Sequence, residues 1–137
     1  PDADDPAVGP GRVGDIAPTP LGVLAMRAVE AFSPRHANLG MAGDPGLSVT
    51  RVAVCTGSGR SLIDAARSAG ADAYVTGDLT YHDADSAEGM GLVNVPHGAV
   101  EQHCMRAWAP VLADALAPSG VDVAATSVDT DPWREAC

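Results

Sequence analysis

The sequence has no lysine, and its eight basic residues are all arginines. Set against 18 acids, they leave a formal net charge of −10. An acidic surface repels phosphate backbones, and no stretch gathers a basic patch, so nucleic-acid binding by charge attraction is disfavoured. Aromatics are scarce at 4%. The core must therefore be built from Ala, Val and Leu, which gain less per residue on burial. The three cysteines, Cys55, Cys104 and Cys137, are odd in number and widely spaced, with no CxxC pair. That pattern speaks against a disulfide framework and a thiolate zinc site, and fits a reducing, cytoplasmic compartment. No apolar run approaches the ~20 residues of a membrane span. No charged-then-apolar signal peptide opens the chain either. The chain begins at Pro1 without Met, which reads as a protein that continues upstream.

What is present is a chain of 137 residues, 46% hydrophobic, enough for one domain with a single core. Residues 1–20 are rich in Pro, Gly and Asp without periodic apolar pattern, and read as a linker or lead-in to a domain over 21–137. From Leu21 to Phe32, apolar residues recur at three- and four-residue spacing, which predicts a helix opened by Pro20 and stopped by Pro34. Residues 35–48 connect. Residues 49–55 form a β-branched run broken by Gly57-Ser58-Gly59. A helix over 61–69 closes at Gly70. A second strand spans 71–76, a short helix 81–89, and a third strand 91–95. A longer helix runs from His97 to Ala117, with Val100, Cys104, Trp108, Val111, Leu112 and Leu116 offered to a buried face. Pro110 should kink or divide it. Alternation over 121–128 predicts a last strand. Strands alternating with helices imply an α/β fold, a layered, mostly parallel sheet with flanking helices.

In such sheets ligands collect beyond the carboxyl ends of the strands. Three strand ends carry polar punctuation: Thr56-Gly57-Ser58-Gly59, Thr76-Gly77-Asp78 and Val95-Pro96-His97. His97 and Glu101 lie four residues apart at the start of a helix, so they share one face. Imidazole nitrogen with carboxylate oxygen suits Zn, Mn, Fe or Co better than Ca or Mg. The same spacing also describes an ordinary helix-surface pair. Asp78 could orient a histidine or accept a proton, and His82 could serve as acid, base or substrate contact. Taken alone, a helix cap for Asp78 and solvation for His82 are the plainer readings. Gly57-Ser58-Gly59 could cradle an anion, yet it is neither GxGxxG nor a P-loop nor GxSxG. Ser58 or Ser61 would more simply cap the following helix. Cys55 and Trp108 read as core, His36 and His103 as surface.

The order Gly11-Arg12-Val13-Gly14, then residues 52–84 (VAVCTGSGRSLIDAARSAGADAYVTGDLTYHDA), then His97 to Glu101, then Asp131-Pro132-Trp133, resembles the Nif-three-like dinuclear metal-centre family. Its members are also known as GTP cyclohydrolase I type 2 homologues, and the actinobacterial branch is the nearest in pattern. The resemblance implies a protein of two similar α/β halves, assembled as a homohexamer, with two divalent metals per site. Two adjacent histidines and an aspartate would come from the N-terminal half, and a His and a Glu from the C-terminal half. Only the last two carry over, onto His97 and Glu101. The chain has no adjacent histidine pair, so it corresponds to the C-terminal half. Asp78 and His82 match a cleft-lining GDxxxH motif. Where the family writes Asp-x-Gly-His followed by an aromatic or His, Ala, Thr or Ser, and Glu, this chain writes Asn94-Val95-Pro96-His97-Gly98-Ala99-Val100-Glu101. Gly98 and Val100 thus remove an aromatic wall and a hydroxyl from beside the ligands. Three function classes follow: a metal-dependent hydrolase of a phosphoester or nucleotide-like substrate, a non-catalytic metal-binding or chaperone-like assembly protein, and a degenerate scaffold half.

Overall fold

The computed structural model describes residues 8–32, 40–128 and 130. His36 and the Asp131-Pro132-Trp133 motif lie outside the described residues. In chain order the elements are β1 (Gly11–Pro20), α1 (Leu21–Phe32), β2 (Gly40–Ala42), β3 (Ser48–Ser58), α2 (Ile63–Ser68, entered through a 3-10 turn), β4 (Ala73–Gly77), α3 (Tyr81–Asp85), β5 (Gly91–Val95) and α4 (His97–Leu116). One five-stranded sheet has the order β1-β3-β4-β5-β2. Its central strands β3, β4 and β5 run parallel, and β1 and β2 close the two edges antiparallel.

Side-chain alternation divides the sheet between two apolar layers. Val75 and Val93 face one way, onto Leu21 and Ala25 of α1 and Val100 of α4. Tyr74 and Leu92 face the other way, onto Ile63 and Ala66 of α2. With both faces covered, β4 is buried at every position, as parallel strands under helices require. Leu21 is 0% exposed and sits directly over Gly91, where a Cβ would come 2.7 Å from its methyls.

The sequence misled in three places. Residues 11–20, read as a linker, are a ten-residue strand. Proline is tolerated there because β1 is an edge strand, which gives up no ladder bond on its outer side. The domain therefore begins by Gly11. Second, residues 121–128 are not a strand. They lie along α4 instead, lining a cleft with Trp108 and Leu112. Third, α4 keeps an unbroken helix assignment through Pro110, but only Val100 is buried and Cys104 partly so. Trp108, expected in the core, is 49% exposed, and Met105 and Val111 are also exposed.

At the opposite end of the sheet from the site, Asp72 ties β4 to β3. Its carboxylate accepts from the Thr50 amide at 2.8 Å, the Thr50 hydroxyl at 2.8 Å and the Arg51 amide at 2.9 Å. These bonds, the Thr50 amide first, hold its pKa below the ordinary carboxylate value.

Two outcomes follow for stability. Leu21→Ala should destabilise the fold by about 3 kcal/mol, from lost transfer energy and the cavity left over Gly91, read as a lower urea midpoint. Because the folded pKa of Asp72 is depressed, its contribution is fully present above the unfolded value of about 3.9 and vanishes as pH falls through the folded one. Asp72→Asn should therefore be less stable than wild type at pH 7, the two converging in strong acid. Urea titrations across pH read this directly, and a gap that persists in strong acid would contradict it.

Candidate metal half-site

The parallel trio delivers three strand ends to one place. β3 ends in Gly57-Ser58, β4 in Gly77 followed by Asp78, and β5 in Val95 followed by Pro96 and then His97, the first residue of α4. Pro96 in extended conformation precedes α4 without a side-chain cap, and the Val100 amide bonds its carbonyl at 3.1 Å. His97 and Glu101 thus project from the first turn over the ends of β3 and β4.

The His97 ring lies between two carboxylates. Its Nδ1 is 2.6 Å from Asp78 Oδ2, and its Nε2 is 3.1 Å from Glu101 Oε1. All three side chains are partly exposed to solvent. The bond to Asp78 raises the His97 pKa most; burial opposes it and Glu101 adds to it. Asp78 is therefore the orienting residue, not a helix cap. The cap of α3 is Thr80, whose hydroxyl accepts from the Asp83 amide while the Asp83 carboxylate accepts from the Thr80 amide. Asp83, almost fully buried, also takes Arg60 Nε at 2.8 Å. Its carboxyl is held below the ordinary range, chiefly by the Thr80 hydroxyl. With capping supplied by Thr80 and Asp83, Asp78 is left for His97. Asp78 holds φ at +57°, a left-handed conformation that an L-residue adopts at some strain, the kind of local strain that tends to cluster at functional sites.

Sequence reasoning did not find the role of the glycines. Gly57, at φ +72°, backs onto His97 and Glu101 so closely that a Cβ there would lie 3.1 Å from His97 Nε2 and 3.3 Å from Glu101 Oε1. Gly77 is confined between the Gly57 and Val95 carbonyls and the His97 backbone. At Gly59 a Cβ would overlap the hydroxyls of Thr76 and Tyr74. Those two buried hydroxyls pin the loop from beneath, Tyr74 donating to the Gly59 carbonyl at 2.9 Å and Thr76 to the Gly57 carbonyl at 3.2 Å. Burial is the main reason the Tyr74 phenol is pushed up to about 12. Neither Ser58 nor Ser61 caps the helix after this loop. The available signal was a glycine at each of two strand ends beside a histidine.

Of the other candidates, His82 is exposed on α3 and packs edge-to-face on Tyr81 instead of joining the group. His103, exposed, meets Phe32 edge-to-face. Cys55 is a buried core residue. Val100 is turned into the core with Leu21, Val75 and Val93.

Chemically, the Nε2–Oε1 approach decides what the site can hold. With Nδ1–H donated to Asp78, Nε2 presents a lone pair, and Glu101 presents another 3.1 Å away. Two acceptors at that distance need a cation between them, either a proton or a metal ion. Adjacent ligands of a tetrahedral ion with bonds of about 2.0–2.1 Å lie about 3.3 Å apart, so the pair fits one edge of such a polyhedron. Carboxylate, histidine and open Nε2 reproduce the arrangement in which an outer carboxylate fixes a metal-binding imidazole. Among the described residues, no group of three or more His, Cys, Asp or Glu is arranged to hold a metal ion.

Comparison with known proteins gives the family. The family model Duf34/NIF3 (NGG1p interacting factor 3) matches residues 4–132. A Mycobacterium tuberculosis protein named GTP cyclohydrolase 1 type 2 homolog is 39% identical over 92% of the chain and 34% of its own length. Its Streptomyces coelicolor namesake is 36% identical over 97% of the chain and 50% of its own length. The chain therefore spans between a third and a half of these relatives. The crystal structure of a Bacillus cereus protein related to NIF3 superposes with a TM-score of 0.81 at 28% identity, covering 93% of this chain and 36% of that one. Glycine-flanked strand ends, the histidine that follows them and these matches together place the chain in the Duf34/NIF3 family.

Proposed function

We propose that His97 and Glu101 supply half of a divalent-metal site (Zn, Mn, Fe or Co) which the remainder of the full-length protein completes to a dinuclear centre, and that the completed site hydrolyses a phosphoester or nucleotide-like substrate. The observation that carries this reading is the facing of two acceptors, Nε2 and Oε1, across 3.1 Å. The His97 pKa is raised, first by the bond to Asp78, so a metal ion at that position would have to displace a proton. A metal so held lowers the pKa of bound water and polarises a substrate oxygen. The chain's own residues bind and orient: Asp78 keeps the proton on Nδ1, His97 offers Nε2, Glu101 offers Oε1, and Gly57 leaves room behind both. The relatives' name, GTP cyclohydrolase 1 type 2 homolog, supports a nucleotide-like substrate for the same centre.

Self-association, as the hexamer that the resemblance implies, and a cytoplasmic location belong to the same proposal. No helix among the described residues is long and apolar enough to cross a membrane. A second reading, metal binding without catalysis, is favoured by one observation: His82, the remaining acid–base candidate, is exposed and packs edge-to-face on Tyr81. Incubating the full-length protein, loaded in turn with Zn, Mn, Co and Fe, with phosphoesters and nucleotides separates the two. Turnover abolished by His97→Ala supports the hydrolase, and metal binding without turnover the second reading.

Two protein ligands are fewer than the three or four that a tight site uses. Calorimetric titration with Zn and Mn should thus show weak binding to this chain and tight binding to the full-length protein, lost in His97→Ala. Tight stoichiometric binding by the short chain, or indifference of the full-length protein to the substitution, would refute the assignment. In the full-length protein, Asp78→Asn should lower metal affinity by about 10- to 100-fold without removing a ligand. An unchanged affinity would remove Asp78 from the site.

A further inference from the structure

Asp78 can serve His97 only while its backbone stays in the left-handed region, at φ +57°. Relaxing to an ordinary extended conformation would turn its carboxylate off Nδ1. Gly77 is paired with Ser58 and Val95 and Thr80 is fixed by the capping box, so Asp78 and Leu79 are the link between two anchored points. Besides the Asp78–His97 bond itself, the side-chain hydrogen bond that braces this link among the described residues comes from the neighbouring strand. Asn94, paired with Thr76 across the β4–β5 ladder, turns its side chain past the end of β4 and accepts the Leu79 amide at 3.0 Å. Asn94 is only partly exposed, and its amide nitrogen faces Gly40 of the edge strand β2, where a Cβ would lie 3.8 Å away.

From this geometry we propose that Asn94 is a positioning residue for the half-site: it locks the residue after Asp78, keeps Asp78 on His97 Nδ1, and so fixes the tautomer that leaves Nε2 open beside Glu101. It acts through Asp78 alone. The bonds form a series, Asn94 Oδ1 to the Leu79 amide at 3.0 Å and Asp78 Oδ2 to His97 Nδ1 at 2.6 Å, with the strained residue between them. Loss of the first bond frees the turn, and the second then competes with solvent at a partly exposed position. The use of Nε2 for a metal rests on the proposed function, whereas the tautomer itself does not.

The test has two arms. Long-range proton–nitrogen correlation spectra of the chain, at a pH where the ring is neutral, report which nitrogen of His97 carries hydrogen. Wild type and Asn94→Asp, which retains an oxygen acceptor, should show hydrogen on Nδ1. Asn94→Leu, of similar size without an acceptor, should show a mixture of the two tautomers. Should Asn94→Leu not fold, Asn94→Ala takes its place with the same expectation. In the full-length protein, Asn94→Leu should weaken zinc binding about 10-fold, with Asn94→Asp restoring it. A wild-type tautomer in Asn94→Leu overturns the proposal, as does an Asn94→Asp spectrum that matches Asn94→Leu. If the full-length wild type binds no zinc, the metal assignment fails, and the tautomer arm still decides the role of Asn94.

Discussion

The 2.6 Å bond between Asp78 and His97 joins the end of β4 to the first residue of the helix that follows β5, and the site takes its shape from it. It spans a crossover in a parallel sheet, so it exists only if β4 and β5 pair in the observed register, Gly77 opposite Val95. A slip of one residue would reverse every side chain on β5 and carry Val93 and Val95 out of the core they share with Leu21. The apolar packing therefore sets the register, and the register sets the hydrogen bond. Stability and chemistry are linked here through one ladder.

The same bond explains the glycines. Three strand ends can approach closely enough for side chains from different strands to touch only if the backbone there carries no Cβ. Gly57 and Gly77 meet that need, and Gly59 lets the loop settle onto the hydroxyls of Tyr74 and Thr76. Glycine brings freedom that weakens a strand end, and the two buried hydroxyls restrain it from beneath. Asp78 shows the converse. It is a non-glycine residue held at positive φ because its carboxylate is needed at that point, and the surrounding bonds offset the strain.

Electrostatics then place two cations in competition for one position. Asp78 and Glu101 both raise the His97 pKa, so a proton on the ring is favoured relative to a solvated histidine. The carboxylates that would help attract a metal ion also attract the proton it must displace. In such a site metal binding releases a proton and strengthens with rising pH. Asp78 acts on both sides of this balance. It stabilises the imidazolium, and in the neutral ring it directs the lone pair toward Glu101.

Much of this was legible in the sequence, for a physical reason. β4 and β5 are buried strands and β3 an alternating one, each ended by glycine or proline, and α1 and α4 begin beside proline; these signals are local. The pairing of His97 with Glu101 was legible from helical spacing alone. For Asp78 the sequence leaves two uses open, orienting a histidine or capping a helix, and only the capping pair Thr80 and Asp83 decides between them. The misread elements lie where a neighbour decides. β1 is a strand because the edge of β3 accepts it despite its prolines, and residues 121–128 are not, because they lie along α4 instead of against a sheet edge. Trp108 belongs to the same class. Helical periodicity places it on one stripe with Val100 and Cys104, but the sheet lies only under the first turns of α4. Periodicity tells which residues share a face, and only the extent of the opposing layer tells how far along the helix that face is covered.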